Sequence, residues 1–209
     1  MPMSESNRNT GQNMTAPGKV PEEALKGLIA AAERRRRGPA PVHLWNPTDC
    51  GDIDMRIAAD GTWFYCGSPI GRLSLIQLFS SILRKDGDRY VLVTPVEKVG
   101  VQVDDAPFLA VELTASGEGD GLSLTFRTNV GDVVTACEAH PLRFERAAAE
   151  GLKPYLKVRA DLWALVKRAL YYDLVALGSI QPCRGAAWFG VRSGGVFFPM
   201  CPASEIEGF

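Results

Sequence analysis

Apolar and polar positions alternate through Met55-Arg56-Ile57, which runs into Asp60-Gly61 and then the aromatic triplet Trp63-Phe64-Tyr65. The pattern returns near the other end of the chain as Phe189-Gly190-Val191-Arg192-Ser193, then Gly194-Gly195, then Val196-Phe197-Phe198-Pro199. Period-two alternation describes a strand with one buried face. Asp-Gly and Gly-Gly accept the positive φ of a tight type I′ turn, so both stretches are predicted to be hairpins with two-residue loops. That register sets Ile57 opposite Phe64, Met55 opposite Cys66, Val191 opposite Phe198 and Phe189 opposite Met200 on the core side. The other face carries Arg56 opposite Tyr65 with Trp63 diagonal, and Arg192 opposite Phe197 with Trp188 on the same side. Arginine beside aromatic rings in both copies fits a second core layer, an interface between halves or a binding surface. The repetition itself predicts two related halves.

The rest of the pattern fills in those halves. Residues 1–18 are polar and predicted to be a disordered tail. Residues 19–38 read as a helix with Leu25, Leu28, Ile29 and Ala32 on one face, Glu22 and Glu23 at its start and Arg34 to Arg37 at its end. Trp45 anchors an extended, proline-rich segment. Ser68-Pro69 reads as the entry of an amphipathic helix carrying Leu73, Leu75, Ile76, Phe79, Ile82 and Leu83. Strands are predicted at Tyr90–Val93, Val96–Val103, Phe108–Thr114, Leu122–Arg127, Val133–Ala136, Leu142–Glu145 and Tyr155–Val158. One long helix is expected from Asp161 to Leu177 with Gly178 as its stop. The class is therefore α+β, with mostly antiparallel hairpins and one amphipathic helix per half, divided into an N-terminal domain at 39–106 and a C-terminal domain at 107–209. Doubly wound α/β is disfavoured, since Gly-rich strand-to-helix turns are missing.

Composition narrows the function classes. A formal charge of −1 over 209 residues offers no global attraction to nucleic acid or anionic lipid. Apolar runs fall well short of a bilayer span and the amino terminus has no signal-peptide core, so a cytoplasmic location is the default. Cys50, Cys66, Cys137, Cys183 and Cys201 are odd in number and scattered, which predicts buried free thiols rather than a disulfide framework. With only His43 and His140 and no Cys-x-x-Cys, no metal site or cofactor is expected.

Ile-Asp-Met-Arg-Ile-Ala-Ala-Asp-Gly-Thr-Trp-Phe-Tyr-Cys-Gly-Ser-Pro-Ile-Gly-Arg at 53–72, with Thr-Pro-Val-Glu-Lys-Val-Gly-Val and Phe-Arg-Thr-Asn-Val-Gly-Asp further on, resembles a bacterial family of unknown function, DUF1285. The resemblance covers roughly Pro39 to Met200. It implies a duplicated fold whose C-terminal half is similar to pleckstrin-homology-like barrels, with a groove between the halves that binds a ligand or partner, in signal transduction as one setting. It implies no activity and no catalytic residue.

The chemistry agrees. Gly67-Ser68-Pro69 is no nucleophile elbow. Adjacent Asp104 and Asp105 point opposite ways and read as a solvated turn, as do Glu118 to Asp120. His140 before Pro141 reads as a turn histidine with one hydrogen bond. The favoured function is a noncatalytic binding or interaction module using Arg56, Trp63, Tyr65, Lys98, Arg127, Asn129, Arg143, Trp188 and Arg192, with a protein, a peptide or an anionic small ligand as partner. The alternative is a hydrolase or transferase acting on a phosphorylated or acyl substrate. Nucleic-acid binding through Arg34 to Arg37 is disfavoured, because a helix C-terminus already accounts for those charges.

Overall fold

The computed structural model describes residues 26, 27, 29, 30, 40–147, 151–183 and 185–206. The expected tail, most of the helix expected at 19–38 and the Arg34 to Arg37 run lie outside the described residues. Ile29 packs against the core.

The described chain is mostly β, with two helices of nine residues and three sheets. The first unit holds β1 (Asp49–Ile57), β2 (Trp63–Tyr65), β3 (Ser68–Pro69), α1 (Leu73–Ser81), β4 (Leu83–Asp86), β5 (Arg89–Val93) and β6 (Lys98–Val103). The second holds β7 (Phe108–Ser116), β8 (Ser123–Thr128), β9 (Val133–Thr135), β10 (Leu142–Ala147), β11 (Gly151–Arg159) and β12 (Leu162–Val166). Then come α2 (Arg168–Ala176) and a three-stranded sheet of β13 (Ser179–Cys183), β14 (Ala186–Ser193) and β15 (Val196–Pro202).

The two units do repeat one strand order, but the repeat is not the one the hairpins suggest. The first sheet runs β3-β2-β1-β6-β5-β4 and the second β9-β8-β7-β12-β11-β10. Numbered within its unit, each is 3-2-1-6-5-4. In both, two antiparallel meanders join through one parallel pair made by the unit's first and last strands, β1 with β6 and β7 with β12. The counterpart of the β1–β2 hairpin is thus β7–β8, while the hairpin at 189–199 belongs to the third sheet. Hairpin chemistry recurs wherever a tight turn joins two half-buried strands, so its likeness does not mark corresponding places in the two units.

The first hairpin is also one residue out of the expected register. Met55 pairs with Tyr65, Arg56 with Phe64 and Ile57 with Trp63. The Gly61 N–H reaches the Ala58 carbonyl and the Ala58 N–H the Thr62 carbonyl, both at 2.9 Å, which makes a three-residue loop. Only Gly61 takes a positive φ, +82°, as a type I turn followed by one left-handed residue requires. The slip exchanges faces: Trp63 is fully buried and stacked on Phe79, while Phe64 is only half-buried beside Arg56. The second hairpin has positive φ at both Gly194 and Gly195, a two-residue type I′ turn, and pairs Val191 with Phe198 as expected. A bulge then sets Phe189 against Cys201 instead of Met200.

The helices are shorter than the pattern suggests. Leu162-Trp163-Ala164-Leu165-Val166 alternates buried and half-buried positions and forms the parallel strand beside β7, so the second helix begins only at Arg168. In the first helical stretch Ser68-Pro69 is a strand, not a cap, and Leu83 opens β4. All five cysteines are free, as read, but none is buried: Cys50 and Cys66 are exposed and the others half-buried. One apolar core cluster runs through both units and the third sheet, with Ile57, Trp63, Phe79, Leu92, Phe126, Leu156, Val191 and Phe198 among its members. No helix among the described residues is long and apolar enough to cross a membrane.

Candidate functional site

On β1, Ile53, Met55 and Ile57 enter the core, which turns Asp52, Asp54 and Arg56 to the opposite face. With Phe64, Asp86, Asp88, Arg89 and Gln102 they line a cleft of about 920 Å³. Its cations are already matched. Arg56 lies 2.5 Å from Asp104 and 4.7 Å over the Phe64 ring. Arg89 reaches Asp49 at 2.6 Å and Asp52 at 2.5 Å, and Lys98 reaches Asp86 at 3.1 Å. Gly100 leaves the space in which the Asp52–Arg89 pair lies, since a Cβ there would strike both side chains. The Gly51 N–H and then Arg89 hold Asp49 below the usual carboxylate range, and Arg84 and then Lys98 do the same for Asp86. This face is a paired ionic lattice.

The other expected site residues are dispersed. Arg127 pairs with Glu112 across β7 and β8. Arg143 lies 4.1 Å over Trp163 and 5.1 Å over Tyr155, beside Glu145, and shares a cleft of about 420 Å³ with Trp188. Arg192 contacts Gln181 at 3.0 Å and Asp120 at 3.3 Å. Tyr65 packs against the core. Trp63 is inside the core, with its indole N–H unpartnered. The structure therefore brings Arg143 to Trp188, while Arg56 and Arg192 take separate partners in different sheets.

Asn129 has the clearest structural use. Its Oδ1 accepts the Leu109 N–H at 3.0 Å and its Nδ2 donates to the Gly61 carbonyl at 3.2 Å, so it joins the second unit to the first hairpin's tip. A Cβ on Gly61 would lie 2.7 Å from that Nδ2. Nearby, Gln77 of α1 donates to the Val130 carbonyl, and Arg159 binds Asp132 at 2.5 Å and the Ser80 carbonyl at 2.7 Å. These contacts fix one unit against the other.

Between the units lies a groove of about 630 Å³. The first hairpin's tip contributes Ala59 and Asp60, and the linker contributes Asp105. From the second unit come Leu152, Lys153, Pro154, Leu165 and Val166, followed by Arg168 at the start of α2. Asp104 and Asp105 do face opposite ways, but Asp105 is no solvated turn residue: it accepts the Tyr155 hydroxyl at 2.8 Å and lies 3.3 Å from the Lys153 ammonium. Burial first, and then the bond to Asp105, push the Tyr155 hydroxyl well above its ordinary range, so it stays a donor. The grouping of Asp60, Asp105, Lys153 and Arg168 escaped sequence reasoning. Two of them sit in turns that explain themselves locally, and only unit-on-unit packing assembles the four. Among the described residues no group of three or more His, Cys, Asp or Glu is placed to hold a metal ion. The His140 ring Nδ1 lies 3.1 Å from the Lys157 carbonyl oxygen.

Two six-stranded units of the same strand order, joined over a shallow groove, define a β-rich architecture with a repeated topology, and the comparisons with known proteins place it. Residues 40–106 match the model "Domain of unknown function (DUF1285), N-terminal domain", and residues 107–200 match "Protein of unknown function (DUF1285), C-terminal domain". A DUF1285 family protein from Silicibacter pomeroyi DSS-3 is 52% identical, with 87% of this chain and 98% of that one covered at a TM-score of 0.80. Another from Shewanella baltica OS155 is 32% identical, with 59% of this chain and 91% of that one covered at a TM-score of 0.48. No curated protein matches. The chain belongs to the DUF1285 family.

Proposed function

We propose that the protein is a noncatalytic binding module whose site is the groove between the two units. One observation carries this reading: the groove takes its walls from both units and has the size of a small-molecule site, with an aliphatic floor and a few charged groups at its sides. We further read the second sheet with α2 as the pleckstrin-homology-like element, which makes signal transduction a natural setting.

The test is amide hydrogen exchange with and without the small-molecule fraction of a cell extract. Protection is expected at 59–60, 152–154 and 165–168 in the wild type and not in Ala59→Trp, which fills the groove from an exposed turn position. Protection that ignores Ala59→Trp, or none in these segments, refutes the reading.

A further inference from the structure

A second cavity opens where the β10–β11 hairpin, α2 and the third sheet meet, and among the described residues it shares only Leu152 with the groove. Its volume is about 640 Å³, within the range of small-molecule sites. Tyr171 and Val175, one helical turn apart on α2, form one side, and Ala147 and Leu152 of the hairpin form another. Phe189, Met200 and Ile206 complete the apolar surface. Met200 is buried in the core and so forms the floor, where its unbranched side chain adapts to the shape of an occupant.

The charges of the wall cancel. Arg146 and Glu205 are the only ionised side chains among the described residues that line the cavity, and they form an ion pair with each other, both of them exposed. The other two titratable side chains are Tyr171 and Cys201. Burial pushes both above their ordinary values, so the hydroxyl and the thiol stay neutral near pH 7. A charged ligand would have to leave water for an apolar surface that offers no free counter-ion, or else break the Arg146–Glu205 pair. An uncharged ligand meets neither cost and gains from burying its apolar area. We infer that this cavity binds an uncharged, mainly apolar small molecule, at a site separate from the groove. The two sites stand on different residues, so neither reading depends on the other.

Fluorescence titration of the full chain tests it with two dyes that brighten on leaving water. N-phenyl-1-naphthylamine is neutral, and 8-anilinonaphthalene-1-sulfonate is the same skeleton with a sulfonate. The neutral dye is expected to saturate at one site per chain, with the sulfonate at least about tenfold weaker. Val175→Trp and Ala147→Trp fill the cavity from two sides, and each should weaken the neutral dye at least about tenfold with the unfolding temperature within a few degrees of the wild type. Glu205→Gln changes only the exposed pair and frees Arg146, so it should strengthen the sulfonate at least about tenfold and change the neutral dye less than about twofold. Equal affinity of the two dyes in the wild type, or no gain of the sulfonate in Glu205→Gln, overturns the neutral chemistry. Neutral-dye binding that survives both tryptophan variants, or that Ala59→Trp abolishes, overturns the site. Binding seen only in a chain ending at Ile206 assigns the cavity to residues 207–209 and overturns the inference, as does no binding at all.

Discussion

Ser193→Ala removes one hydroxyl from the core and should cost far more than an ordinary serine substitution. Ser193 is fully buried at the end of β14. Its Oγ accepts the Leu124 N–H at 2.8 Å and donates to the Ala136 carbonyl at 2.6 Å. Ala136 in turn donates its N–H to the Leu124 carbonyl at 2.8 Å. Leu124 and Ala136 are thus opposite partners, and the hydroxyl stands in for the second bond of their pair, at the point where the chain leaves β9. Alanine keeps the Cβ, so little volume changes, but a buried donor and a buried acceptor lose their partner. At about 1–3 kcal/mol for each unsatisfied buried group, the expected loss is about 2–4 kcal/mol, or about 5–15 °C in Tm for a chain of this size. Urea unfolding with an unchanged slope measures it, and the Leu124 amide should exchange faster. A loss below about 0.5 kcal/mol would refute the reasoning, because it would mean that Leu124 and Ala136 close the gap directly.

Asn129→Ala should cost about 1–3 kcal/mol in the same assay, because it orphans the Leu109 N–H and frees the Gly61 carbonyl; an unchanged midpoint would show that the junction does not depend on it. Asp86, held by Arg84 and then Lys98, has its pKa lowered from 3.8 in the fold. Its contribution to stability is therefore present above the unfolded value and lost as pH falls from 3.8 through the lower folded value. Asp86→Asn should flatten acid unfolding in that window, and an identical acid profile would contradict the assignment.

The sequence displayed what is written in short-range alternation. The strands at Tyr90–Val93 and Leu122–Arg127, the two-residue turn at Gly194-Gly195 and the core positions Ile57, Val191 and Phe198 were legible because turn chemistry and face periodicity specify them locally. At Asp60-Gly61 the dipeptide suits two different loops, and the burial of Trp63 in place of Phe64 was decided by packing on Phe79. Leu162 to Val166 followed a helix pattern because its strand partner is Phe108 to Ala110, far away in sequence. The expected site suffered in the same way. An arginine flanked by aromatics reads as an anion receptor until Asp104 or Glu112 arrives from another strand. Asn129, expected to bind a ligand, has its amide engaged by Leu109 and Gly61 and joins the two units.

Each unit's first strand has its last strand as neighbour, and that arrangement bears on how the chain leaves the ribosome. The two meanders of a unit can form as they are made, but the seam between them stays open until the unit's final strand appears: Asp52 waits for Gly100, and Phe108 for Ala164. The second unit waits longer still, since the hydroxyl that completes the Leu124–Ala136 pair arrives only with residue 193. During synthesis the edges of β1 and β7 therefore stand unpaired until β6 and β12 are made, which makes the growing chain, and any version cut short before Val166, the form most exposed to strand-to-strand aggregation.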